Sequence, residues 1–263
     1  MSSTLAVVNR SFPDRPALGI AVSRAILERV AAGELPPTLR LHRPSRVLAF
    51  SRQDRASSGF KAAVHAARER GFAPVVRLAG GRAAVYHEST LACAWAVPDK
   101  MPATRTTERF REIADVLTEA LKRMGVDARV GEIPREYCPG AWSINARGRR
   151  KLVGIGQRLI AGGAHRGAVI VVGGAELVRD VLVPVYRALD LDWDPATAGS
   201  IDDEVGAASL DRVTDAVLSE LSARYELVEA DLDRATLELA LEREREHTAD
   251  GPRRTRPPAS RPG

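Results

Sequence analysis

Between residues 127 and 172 the chain reads "DARVGE", "AWSINAR", "RKLVGIGQRLI" and "GAVIVV", four β-rich runs set off by glycine-containing turns. Short runs at this spacing predict a meander of antiparallel strands. Amphipathic helices flank it. In "PALGIAVSRAILERVAAGE" the residues Leu18, Val22, Ile26 and Val30 make one apolar stripe that ends near Gly33, and in "TERFREIADVLTEALKRMG" the residues Phe110, Ile113, Leu117, Leu121 and Met124 make another, closed by Gly125. Strands are also expected in "RVLAFSR", "APVVRL" and the later part of "VYHESTLACAWAVP", with a helix in "KAAVHAARERG".

The fold class that follows is α/β in the broad sense (α+β): a mixed, largely antiparallel sheet flanked by helices. We expect a catalytic domain over residues 1–199, a small helical C-terminal portion over 200–247, and a disordered basic tail over 248–263, where "DGPRRTRPPASRPG" has no apolar residue to anchor a fold.

Composition limits the function classes. No apolar run approaches the ~20 residues of a membrane helix, and the N-terminus "MSSTLAVVNRSFPDRP" lacks the pattern of a secretory signal. Two cysteines in such a chain read as reduced thiols in the cytoplasm. The net charge of +5 sits partly in the tail, and what remains argues against nucleic acid as a partner. "RGRRK" at 147–151 reads either as a solvated hairpin tip or as a patch that steers an acidic protein partner.

Several motifs are absent. Neither Gly80-Gly81 nor Gly154-Ile155-Gly156 completes the dinucleotide fingerprint, there is no phosphate loop, and His42, His65, His87, His165 and His247 show no metal-ligand spacing, so no metal site is expected. Gly80-Gly81 after a strand suits either a plain turn or a loop whose amides approach a ligand. His87 in "YHE" suits a hydrogen-bonded structural role or a base. Cys93, among apolar neighbours in a buried strand, reads as packing. Cys138, followed by Pro139-Gly140 and then by "RGRRK", is open to both readings, structural thiol or exposed nucleophile. Lys151, at the mouth of a glycine-rich strand, is either a solvent-facing edge residue or a cation turned into a cleft.

Together "RLAGGRAAVYHE" and "RRKLVGIGQRL…AHRGAVIVV" resemble, in order and spacing, the signatures of the lipoate-protein ligase and octanoyltransferase superfamily, which is related in fold to biotin protein ligase. Those signatures run R-R-x-(S/T)-G-G-(G/R)-A-V-x-H-(D/E) and G-(R/K)-K-(I/V)-x-G-(S/T)-A-Q-R, then H-x-G-(S/T)-(I/L). The G-G-R-A form of Gly80-Gly81-Arg82-Ala83, and a cysteine upstream of the signature lysine, resemble the LipM-type octanoyltransferase branch. Val76 replaces the first arginine of the pair, and Gly154-Ile155-Gly156-Gln157 replaces G-S-A-Q.

The resemblance implies an octanoyltransferase of lipoate biosynthesis, a monomer that needs no cofactor. Octanoate would pass from acyl carrier protein to Cys138, kept as thiolate by Lys151, and on to a lysine of a 2-oxoacid dehydrogenase lipoyl domain or the glycine cleavage H protein. Loop amides near Gly80-Gly81 and the Lys151 ammonium would hold the oxyanion. The acyl tail would lie in an apolar tunnel between sheet and helix, and Arg77, Arg82, His87, Gly154 and Gln157 would shape the pocket. The same resemblance permits an ATP- and magnesium-dependent lipoate ligase, or a non-catalytic lipoyl-domain binder.

Overall fold

A computed structural model describes residues 3–252. In chain order the elements are β1 (Ser3–Val8), α1 (Pro16–Ala31), β2 (Thr38–His42), β3 (Val47–Phe50), α2 (Arg52–Ala56), α3 (Phe60–Glu69), β4 (Ala73–Val76), β5 (Ala84–Tyr86), β6 (Thr90–Pro98) and α4 (Thr106–Arg123). There follow β7 (Ala128–Val130), β8 (Ile144–Ala146), β9 (Arg150–Ile160), β10 (Gly163–Val171), α5 (Ala175–Ala188), α6 (Ile201–Val205), α7 (Leu210–Ser222), β11 (Tyr225–Glu229) and α8 (Arg234–Arg243).

The predicted meander is present: β7, β8, β9 and β10 pair antiparallel in sequence order. It forms half of an eight-stranded sheet ordered β11-β1-β2-β6-β10-β9-β8-β7, in which only the β11–β1 and β1–β2 pairings are parallel. A three-stranded sheet, β4-β3-β5, lies beside it. The period-two alternation of strand side chains gives each face of the large sheet its own cover. Leu39, Leu41, Leu91, Trp95 and Ile170 point toward α4 and α7, and the opposite face lies under α1, which α8 backs from outside. The small sheet packs on α3 and α5 through Phe50, Phe60, Val85, Val181 and Tyr186.

Two expectations are corrected. The segment 200–247 is not simply helical: β11 extends the large sheet in register with β1, and Val213, Val217 and Leu221 of α7 belong to the main core. Its sequence, "YELVE", is too short and too half-exposed to stand out as a strand until a neighbour completes it. β1 and β2 were equally inconspicuous, because Arg40 and His42 interrupt the apolar pattern of β2. Of the tail, residues 248–252 are seen to pack, with Thr248 bridging to Val75 and Ala249 buried, while residues 253–263 lie outside the described residues.

Because α7 closes the core, Leu221→Ala should destabilise the protein by about 2–5 kcal/mol in urea unfolding. Truncation after residue 199 should abolish the cooperative transition, because it also removes β11.

Candidate active site

The loop from β7 to β8 is organised by a buried carboxylate. Glu136, 2% exposed, accepts from the Ile133 N–H at 3.2 Å, from Ser143 Oγ at 2.5 Å and from Lys151 Nζ at 2.9 Å. A buried charge persists only when paired and hydrogen-bonded, and here both conditions hold. Lys151 stands at the start of β9, where the strand's alternation turns it inward, and it is 1% exposed. Its other two N–H groups donate to the carbonyl oxygens of Tyr137, at 3.0 Å, and Cys138, at 2.7 Å. All three ammonium donors are thereby taken.

This clamp shapes the backbone at Cys138, which adopts φ +44°, a left-handed conformation rare for a side chain of this kind. On the other side the Cys138 N–H donates to the Tyr186 hydroxyl at 2.9 Å, and that hydroxyl donates to the Ala83 carbonyl at 3.0 Å. Tyr186 thus ties the cysteine, from α5, to the residue just before β5. The sulfur is left facing the β4–β5 loop, where the Arg82 N–H reaches it at 3.2 Å and Arg77 Nη2 at 3.4 Å. Arg77 Nη2 also donates to the Arg82 carbonyl at 2.5 Å, which fixes the guanidinium against the loop. Gly81, at φ +90°, makes the approach possible: a Cβ there would stand 2.8 Å from Sγ and 2.9 Å from Arg77 Nη2.

The electrostatics follow from this geometry. Burial pushes the Cys138 thiol up, but the Arg77 guanidinium, the Lys151 ammonium and the Arg82 N–H together outweigh it and hold the thiol below its ordinary value. Cys93 has only the Arg166 guanidinium to oppose its burial, and burial wins, pushing it up to about 12. The packing role expected for Cys93 agrees with this.

In front of Cys138 is a cavity of about 400 Å³, lined among others by Arg77, Gly80, Gly81, Lys151, Gly154 and Gln157. Phe110 and Trp142, stacked at 5.9 Å, form one wall. Gln157 joins β9 to α4, accepting from Arg109 Nε at 3.1 Å and donating to the Thr106 carbonyl at 2.8 Å. A second cavity of about 80 Å³, between α1 and the sheet, shares Arg77, Gly154, Gly156 and Val169 with the first. Among the described residues, no group of three or more His, Cys, Asp or Glu side chains could hold a metal ion.

The structure thus gathers seven of the expected residues around one cavity: Cys138, Lys151, Arg77, Gly80, Gly81, Gly154 and Gln157. Arg82 contributes its backbone N–H, while its side chain pairs with Asp54 at 3.6 Å. His87 does not join them. It is fully buried, accepts from the Ser89 N–H at 3.2 Å and packs against Gly174, where a Cβ would approach its ring to 2.8 Å. Lys151 favours the Cys138 thiolate as expected, but through its charge alone, since the ammonium holds the Cys138 carbonyl. Glu136 and Tyr186 escaped notice in the sequence: one is an acidic residue in a loop, the other a helix residue 48 positions from its partner.

The family model for the lipoyl protein ligase A/B catalytic domain matches residues 15–222. The chain belongs to this family. Among curated relatives, an octanoyl-[GcvH]:protein N-octanoyltransferase of Anoxybacillus flavithermus is 28% identical over 159 residues, 60% of this chain and 57% of that one. An octanoyltransferase LipM of Kyrpidia tusciae is 31% identical over 117 residues, 43% of this chain and 41% of that one. The match therefore spans only about half the length of these relatives. Among solved structures, lipoate-protein ligase A bound with ATP superposes with a TM-score of 0.74 at 19% identity, covering 93% of this chain and 94% of that one. Protein Ta0514 of T. acidophilum with bound lipoic acid gives 0.70 at 21%, covering 92% and 95%. These likenesses show the expected lipoate ligase fold, with its largely antiparallel sheet flanked by helices.

Two predictions test the site. Alkylation of Cys138 by a bimane reagent should reach its plateau below the pH of a free thiol. In Arg77→Leu the midpoint should rise by about 1–3 pH units, because the thiolate loses its nearest cation. Lys151→Met should cost about 3–5 kcal/mol of stability by leaving Glu136 buried and unpaired. Adding Glu136→Gln should recover part of that loss, measured by chemical unfolding.

Proposed function

We propose that this protein is an acyltransferase of protein lipoylation that carries an octanoyl group on Cys138 and delivers it to a lysine of a lipoyl-domain protein. The observation that carries this reading is the Cys138 sulfur, held at a cavity wall by the Arg82 N–H and Arg77, both of which favour its thiolate. The names of the relatives, octanoyltransferases in both cases, support the same chemistry. An ATP-dependent ligase would need Lys151 for the acyl carbonyl and the α-phosphate, and its three donors are already held by Glu136, Tyr137 and Cys138.

In the first step the thiolate attacks the carbonyl carbon of the donor. A carbon–sulfur bond to Cys138 forms, the bond to the donor breaks, and the donor leaves as a thiolate that takes up a proton. Once acylated, the sulfur no longer carries the charge that drew the Arg82 N–H and Arg77, and these donors turn to the adjacent carbonyl oxygen, where negative charge develops. In the second step the acceptor lysine's ε-amine attacks the thioester. The carbon–nitrogen bond forms, the carbon–sulfur bond breaks, the amine sheds a proton and the thiolate returns. Lys151 and Tyr186 act as positioning residues in both steps, holding the Cys138 backbone from its carbonyl and its N–H. The acyl tail runs past Gly154 toward the space under α1, at ~0.8 kcal/mol per buried methylene.

The donor expected from the sequence is octanoyl-acyl carrier protein, and thioester to amide is then downhill. The name of the Anoxybacillus relative favours a second donor, octanoyl on GcvH, the H protein. There the first bond broken is an amide and the leaving lysine amine takes the proton, so the transfer is nearly balanced in free energy.

The test is to incubate the protein with apo lipoyl domain and, separately, octanoyl-acyl carrier protein, octanoyl-GcvH, or lipoate with ATP, and to follow the domain's mass. A gain of one octanoyl group in either of the first two arms is expected, lost in Cys138→Ser. A gain confined to the ATP arm would overturn the reading.

A further inference from the structure

The strand β9 is long and its outer neighbour is short. It runs from Arg150 to Ile160, but β8 pairs with it only as far as Val153. From Gly154 to Ile160 every residue is half-buried, whereas Lys151, Leu152 and Val153 are buried. Register decides which backbone groups this leaves open. Ile160 and Gly163 pair across the two-residue turn Ala161-Gly162, and so tight a hairpin closes on a hydrogen-bonded pair. On the far side of β10 the Asp99 N–H donates to the Gly162 carbonyl at 2.9 Å, as it must if Gly163 faces β9. Bonded and unbonded pairs alternate along an antiparallel ladder. Gly154, Gly156 and Arg158 therefore turn their N–H and C=O groups to β10, and Ile155, Gln157 and Leu159 turn theirs outward. No hydrogen bond to these six outward groups is found among the described residues.

The open edge belongs to the site. Ile155, Gln157 and Leu159 all line the cavity in front of Cys138, as do Phe110 of α4 and Gly80 and Gly81 of the β4–β5 loop. The Gln157 side chain is tied to Arg109 and the Thr106 carbonyl, so its amide does not serve the strand's own backbone. The edge starts beside the catalytic loop: a Cβ on Gly154 would stand 3.7 Å from Lys151 Cε, and Lys151 holds the Cys138 carbonyl. From there it leads away for about 13 Å. A saturated acyl chain laid along it would cover six polar groups and pair with none, which is costly. An extended peptide carries the matching donors and acceptors at the matching spacing. Set inside a cavity, the edge is shielded from indiscriminate pairing with other chains, yet a projecting segment can reach it.

We propose that this edge docks the acceptor: an extended segment of the lipoyl-domain protein, next to its target lysine, adds an outer strand to β9 through Ile155, Gln157 and Leu159. The proposal rests on the acyl-transfer reading, which supplies the lysine. Main-chain pairing of this kind fixes the segment's position along β9 whatever its side chains are. The lysine then enters the cavity at the Gly154 end, where the thioester of Cys138 stands.

Amide hydrogen exchange, followed by NMR on the whole protein without an acyl donor, reads the docking directly. In the free protein the Ile155, Gln157 and Leu159 amides should exchange fast, and those of Gly154, Gly156 and Arg158, bonded to β10, slowly. Saturating apo lipoyl domain should slow the first three roughly tenfold or more and leave the second three unchanged. Fast exchange of the first three at every domain concentration, or their slowing by octanoyl-pantetheine alone, would overturn the proposal while leaving acyl transfer standing. A variant reads the same contact in turnover. Leu159→Pro removes one outward N–H and no bond to β10. It should raise KM for the apo lipoyl domain roughly tenfold and leave the loading of Cys138 by octanoyl-N-acetylcysteamine unchanged. Leu159→Ala, which keeps the N–H, should leave both unchanged. An unchanged KM in Leu159→Pro, or an equal rise in Leu159→Ala, counts against the docking. Should the domain gain no octanoyl group from any donor, acyl transfer fails, and the exchange experiment still decides whether the edge binds the domain.

Discussion

The site depends on one buried ion pair. Lys151 and Glu136 lie almost wholly out of water, and taking two charges out of water is costly enough that such a pair adds little stability by itself. Its use is geometric. With one oxygen shared by Lys151 and Ser143 and the other taken by the Ile133 N–H, the carboxylate has a single low-energy position. That position fixes where the ammonium can reach. The ammonium in turn holds two successive carbonyls and sets the left-handed turn that points the sulfur at the glycine loop. Remove the pair, and the Cys138 backbone is held only by Tyr186 through its N–H.

The cysteine is therefore activated from two directions by different means. The β4–β5 loop supplies direct contact, an N–H and a guanidinium on the sulfur itself. The β9 lysine supplies charge from behind the backbone. This division explains why the family's signature glycines and signature lysine lie some seventy residues apart yet act on one atom. The glycine loop must come close enough to touch, which a Cβ at Gly81 would prevent. The lysine must not touch, since a direct ion pair with the thiolate would leave the Cys138 carbonyl unheld.

The legible part of the fold was the part governed by local periodicity. The meander from β7 to β10 and the stripes of α1 and α4 repeat often enough to be read from the chain alone. β1, β2 and β11 do not, because their pairing is parallel or joins distant parts of the chain and polar residues break the patterns of β2 and β11. At the site, Cys138, Arg77 and Lys151 were legible as residue types in a recognisable order. Their contacts were not. That Lys151 would hold a carbonyl rather than the sulfur depends on Glu136, and that the Cys138 N–H would need Tyr186 depends on where α5 packs. Both are long-range facts that no spacing encodes.

Arg40 shows how the two kinds of information meet. In the sequence it is a polar residue that spoils a strand. In the fold it lies on the α1 side of the sheet, because β2 alternates and Leu39 and Leu41 take the other face. The register with β6 then aligns it with Ala94, Gly167 and Gly156. A one-residue slip of β2 would send Arg40 into the core against α4 and α7, where nothing could hold it. The same alternation that buries the leucines thus turns a cation toward α1, where the Arg10 and Gly19 carbonyls and Ser23 Oγ hold it.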